Sequence, residues 1–154
     1  MSDWIVLSCV LLTNVAATLF LTGVVWSLQM VQFPLMLSAR GLDFTSYVRA
    51  QRTRNSILMA LPMLVELITA IWLLTTPIPS RHLRDAMVLL AIIWIVTFGA
   101  IVPQHSRIMR GYDEHAIRVL IRTNWVRTVC WTGRAGLMTW SVLIWIRAVR
   151  LRIY

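Results

Sequence analysis

Lysine is absent from this chain: all fifteen basic side chains are arginines. Acidic residues number six and histidines three, which leaves a formal net charge of +9 over 154 residues. Such an excess on a soluble domain would point to nucleic acid. Here the arginines lie mostly between or beside apolar runs, and no stretch remains to form a basic domain. Nucleic acid is therefore not an expected partner. Anionic lipid headgroups fit the placement better, since cations flanking apolar spans are favoured there.

Cysteine is almost as scarce. Cys9 and Cys130 both fall inside apolar runs, where a thiol acts as a small apolar filler. A disulfide framework and a Cys-based metal site are excluded. Glycine-rich phosphate loops and the motifs of catalytic triads are missing too. The opening Met1-Ser2-Asp3 lacks the basic region of a signal peptide, and the apolar run behind it is too long for one. That run is expected to be a first membrane helix.

Charge itself is missing over long distances. Residues 4–26 and 86–102 carry none; residues 56–75 carry only Glu66, and 128–146 only Arg134. Hydrophobic residues make up 58% of the chain, too many for a soluble protein of this size with helices apolar on every side. The reading is an all-α integral membrane protein, a single domain over 1–154. Its expected transmembrane helices cover about 4–28, 56–76, 86–103 and 126–147, forming a four-helix bundle.

The two connectors on one side are long and are expected to hold short interfacial helices. In the first, Asp43 is placed to cap a helix whose Phe44, Tyr47, Val48 and Gln51 share a face, with Arg49 and Arg52 away from it. In the second, Gly111 and Asp113 mark a stop and a fresh start, with Asp113 placed to cap a helix from Glu114 that meets no proline before Ile146, its first part lying outside or along the interface. Pro62 predicts a bend in the second span, residues 77–80 a stiff turn, and Pro103 the end of the third span. Nine arginines (40, 49, 52, 54, 107, 110, 118, 122, 127) accompany the long connectors, against five (81, 84, 147, 150, 152) on the other side. That bias puts the connectors in the cytoplasm and both termini outside.

The candidate site follows from the few polar residues inside the spans. Asn124, Arg127, Trp131 and Arg134 repeat at intervals of three and four, so they share one helical face. A cation at such depth is costly against lipid and should face protein. Glu66 lies near the midplane of the second span, and the two charges are expected to pair, since either alone would be strongly penalised. Asn124 and Arg127 could extend this network to His105. Asn14, Thr18 and Thr22 form a mildly polar stripe on the first span, suited to helix packing. His105 at a helix exit, with Gln51 and Asn14, completes the possible ligands or partners.

Several segments resemble a group of small, largely uncharacterised four-helix bacterial membrane proteins. They are Val31 through Leu35, Tyr47 through Arg54, Pro62 through Leu67, Val102 through His105, and Thr123 through Thr128 with Trp131 and Arg134. The resemblance implies histidine at the positions of Gln32 and Gln51, so this chain lacks ligands that a metal or haem would use. No cofactor is therefore expected. The leading expectation is an accessory or structural bundle of the bacterial inner membrane, associating with other membrane subunits or with itself. A membrane oxidoreductase holding haem or metal through His105 is the alternative. A small transporter or ion path is a second, weakened because no internal repeat is evident.

Overall fold

The computed structural model describes residues 2–39, 41, 43–76 and 81–153, with only the backbone of 2, 3 and 150–153. All regular structure among these residues is helical, and it forms four long helices. The first, α1, spans 2–38 and is built from Ser2–Ser27, a π-helical turn Leu28–Gln32, and Phe33–Ser38. Next comes α2, Phe44–Leu74. Helix α3, Arg81–Ile108, includes a second π-helical turn, Thr97–Ile101. Helix α4 covers Glu114–Ile153. The expected turn at 77–80 lies outside the described residues, as do Arg40 and the side chains of Arg150 and Arg152.

The helices are longer and the connectors shorter than the sequence suggests. No separate interfacial helix exists among the described residues of either connector, because the residues assigned to them belong to the ends of the long helices. Phe44 and Val48 are buried and Gln51 half-buried, but they form the first turns of α2. Asp43 makes no side-chain cap there; its carbonyl accepts from the Tyr47 N–H at 3.0 Å. Asp113 does cap α4, its Oδ1 accepting from the Ala116 N–H at 2.9 Å. Pro62 lies within a continuous α2. One lost backbone bond is tolerable in such a helix when neighbours re-satisfy the freed carbonyl.

Pro34 and Pro103 do not end helices either, and the reason is the same in both cases. A proline ring clashes with the carbonyl four residues back, while a π-helical turn moves the bonding five back and widens the coil. Just before each proline this shift is present: the Phe33 N–H donates to the Leu28 carbonyl, and the Val102 N–H to the Thr97 carbonyl. The helix is already loosened where the ring arrives, so it carries on.

These turns expose an internal repeat. Each half of the chain runs helix, π-helical turn, proline, the tetrad Arg-Gly-x-Asp (residues 40–43 and 110–113), then a second long helix. The absence of a repeat expected from the sequence is thus corrected.

Helix α1 packs on α2 and α4, and α3 packs on α4, whereas α2 and α3 touch sparsely. One apolar cluster fills the connector end, including Leu21, Phe33, Val48, Ile108, Ile117 and Leu120. A second, with Leu11, Leu73, Leu83, Ala86 and Met138, fills the other end. Buried polar residues separate the two.

The outside is apolar. Ile57, Leu61 and Ile68 of α2 are 71%, 69% and 64% exposed, and Ile95 and Phe98 of α3 and Val129 of α4 are also exposed. Surface of this kind over whole helices needs lipid or protein to cover it. Helices α1, α2 and α3 are each long and apolar enough to cross a membrane. The expected span at 126–147 is not among them: α4 carries Arg127, Arg134 and Arg147 along with several Thr, Gly and Trp residues of low hydropathy.

Backbone amide exchange in micelles should show protection running unbroken from about residue 48 to 72. A band of fast exchange near residues 54–57 would restore the separate surface helix.

Candidate functional site

The polar layer between the two cores is organised by Arg134. Its Nε donates to Glu66 Oε1 at 2.9 Å, with both side chains fully buried. One terminal nitrogen donates to Asn14 Oδ1 at 3.0 Å and the other to the Ala86 carbonyl at 2.6 Å. A guanidinium presents a fixed planar fork of donors, so three acceptors in different directions suit it. Ala86 leaves room for the approach, and a helical carbonyl keeps a lone pair for a second donor.

Glu66 is equally occupied. Thr18 Oγ1 donates to Oε1 at 2.7 Å and Trp131 Nε1 to Oε2 at 3.3 Å. The Glu66 backbone carbonyl accepts from Asn14 Nδ2 at 2.9 Å, and that amide also reaches Thr69 Oγ1 at 2.7 Å. The polar stripe of α1 therefore does more than pack, since Asn14 and Thr18 hold the carboxylate and guanidinium from one side. Spacing alone shows that these residues share a face but not what they face.

The remaining members form a second cluster. Asn124 Nδ2 donates to Gln29 Oε1 at 2.8 Å, and Arg127 donates to Asn124 Oδ1 at 3.3 Å. The Arg127 guanidinium lies 5.0 Å from the ring centroid of Trp131, within cation–π range. Trp131 thus joins the clusters, one face toward Arg127 and its N–H toward Glu66. Gln29 is not apparent from the sequence; a lone glutamine near a helix end carries no signal until its partner is known.

His105 lies apart from this network. It packs on Phe33 with ring centroids 5.9 Å apart, and among the described residues no hydrogen bond joins it to Asn124 or Arg127. The expected extension to His105 does not form. Gln51 donates through Nε2 to Gln32 Oε1 at 2.9 Å, an oxygen that also accepts from Asn55 at 2.8 Å.

Both His105 and Gln51 border a cavity of about 500 Å³ between α2 and α3. Its deep wall is Phe33 and Met36 of α1 and Arg127 of α4; Leu64 and Phe98 stand at the exposed rim. Four buried polar atoms in its lining have no hydrogen-bond partner among the described residues: Gln51 Oε1, Trp94 Nε1, His105 Nδ1 and Arg127 Nε. Buried polar atoms are paired as a rule, so four orphans around one space set it off from the saturated Glu66 layer. No three His, Cys, Asp or Glu residues among those described gather into a metal-ligand set.

Comparison with protein-family models, curated proteins and solved structures found no match.

A double-mutant cycle tests the central pair. Glu66→Gln or Arg134→Met alone should cost about 3–5 kcal/mol by stranding a buried charge, and the double variant should cost less than the sum. Reversible unfolding in mixed micelles measures this; additivity would mean that the pair carries no coupling. Trp131→Phe should cost roughly 1–2 kcal/mol, from one lost hydrogen bond and a weakened cation–π contact.

Proposed function

We propose that the protein is a four-span integral membrane bundle with an accessory or structural role, associating with a larger membrane complex or with copies of itself. The observation that carries this reading is the closure of the Glu66–Arg134 layer. An intramembrane carboxylate and guanidinium suggest ion or proton movement, but these two are engaged with each other and with Asn14, Thr18, Trp131 and Ala86. They fix helices to one another and leave the exposed apolar faces for lipid and partner subunits.

Aromatic pairs support α4 as a fourth span. Trp4 of α1 stacks on Trp145 of α4 at 4.9 Å, and Trp26 meets Trp125 edge-on at 5.7 Å. Along α1 the two contacts are about 33 Å apart and along α4 about 30 Å, at ~1.5 Å per residue. That is the thickness of a hydrocarbon core, and tryptophan favours its two edges. With the arginine bias, the arrangement supports a reading in which connectors 39–43 and 109–113 face the cytoplasm and the termini lie outside, in a bacterial inner membrane. The resemblance to small four-helix bacterial membrane proteins supports the same architecture.

The alternative of haem or metal held by His105 rests on its unpartnered Nδ1. Its surroundings oppose that use: Arg52 and Arg127 border the same cavity and repel a cation. Gln32 and Gln51 bond to each other instead of to His105.

Single cysteines in a background with Cys9 and Cys130 replaced test the topology. Gly41→Cys and Gly111→Cys should be labelled from the cytoplasmic side, and Thr75→Cys and Arg147→Cys from the opposite side. Arg147→Cys reacting with the connectors' side would take α4 out of the membrane. In sealed liposomes the protein alone should raise neither proton nor potassium flux; sustained flux lost in Glu66→Gln would replace the accessory role with transport.

A further inference from the structure

We propose that the cavity between α2 and α3 binds the anionic headgroup of a membrane phospholipid, its acyl chains leaving between those helices. This rests on the membrane reading above, but on neither the accessory role nor the orientation.

Charge is the first argument. Arg52 and Arg127 border the cavity, and none of the described acidic residues lines it or pairs with either guanidinium. Arg52 donates to the Met109 thioether at 3.0 Å, a weak and neutral acceptor. Arg127 is 4% exposed, with a neutral amide and an indole face for partners. Two guanidiniums so placed lack a counter-charge among the described residues. A basic pocket between membrane helices is suited to an anionic headgroup.

Hydrogen-bonding capacity is the second. Among the described residues, Arg127 Nε–H and Trp94 Nε1–H are donors without acceptors, and Gln51 Oε1 is an acceptor without a donor. A phosphodiester supplies unesterified oxygens to the two donors. A headgroup hydroxyl, as on glycerol, supplies the donor that Gln51 Oε1 needs, and His105 Nδ1 can accept a second. A neutral quinone could accept from the same N–H groups but would leave both charges uncompensated. A metal ion would add positive charge to an already cationic space.

Shape is the third. Beyond this polar end the cavity continues between Met59 and Met63 on α2 and reaches Leu64 and Phe98 at the exposed rim. The sparse contact between α2 and α3 leaves a lateral opening at the depth of acyl chains, while Gln51, Arg52 and His105 lie nearest connectors 39–43 and 109–113, on the headgroup side.

Native mass spectrometry of the protein released from nanodiscs tests this, and it reads lipid retention whatever the topology. The discs contain equal phosphatidylglycerol and phosphatidylcholine with identical acyl chains. One phosphatidylglycerol should remain per protein, preferred at least tenfold. Arg52→Gln and Arg127→Gln should each cut the preference about fivefold, and together bring it to parity. Trp94→Phe, which removes the indole N–H but keeps an aromatic ring, should weaken retention even if Arg127→Gln fails to fold. Arg118→Gln, at an exposed arginine, should change nothing. Equal retention of phosphatidylcholine, or an unchanged preference in the double variant, would overturn the proposal. So would displacement by ~10 mM inorganic phosphate, which would mark a small-anion site, or selective retention of ubiquinone from discs that contain it, which would mark a neutral ligand.

Discussion

Arg134 touches a residue on each of the other three helices: Asn14 on α1, Glu66 on α2 and Ala86 on α3. A helical bundle in lipid gains little from simple apolar burial between helices, since the surrounding solvent is equally apolar. Directional bonds to a buried charge then set the relative depth of the helices, because a shift of one turn strands a donor in a place without water. The apolar clusters above and below the polar layer fill space around an arrangement that the guanidinium fixes.

Trp131 divides the interior into a satisfied and an unsatisfied part. On its N–H side lies the Glu66 layer, where each charged group has partners. On its ring side lies Arg127, bound to one amide oxygen and facing a cavity with three further unpaired polar atoms. The two arginines lie on the same face of the same helix, two turns apart, yet have opposite surroundings. Fully engaged polar groups rigidify a core, whereas unengaged ones around a space need partners that the described residues do not supply.

The charges inside the helix bundle are the legible part of this molecule. Glu66 and Arg134 declare each other because isolated charge at such depth is too costly, and Asn124, Arg127 and Trp131 follow from helical spacing. Helix length is legible where no proline intervenes, as from Glu114 to Ile146 of α4, but not elsewhere. Proline normally signals a stop, and only the backbone reveals that π-helical turns prepare α1 and α3 for Pro34 and Pro103. The cavity cannot be read either, since it depends on α2 and α3 standing apart. His105 illustrates the difference: its place on a helix face is evident, but that it shares an open space with Arg127 without a hydrogen bond between them is a tertiary fact.

The repeated halves raise the question of what keeps them in order. Glu66 lies 22 residues past the start of α2, and Arg134 20 residues past the start of α4, nearly the same height on equivalent helices. The two hairpins thus carry opposite signs at matching positions. Two copies of the first would set carboxylate against carboxylate, and two copies of the second guanidinium against guanidinium. Each half is self-repelling and mutually attractive, so a duplicated architecture that could otherwise pair like with like is directed to close within one chain. The asymmetry of a single residue in each half leaves the Glu66 carboxylate of the first hairpin without its guanidinium until the second packs beside it.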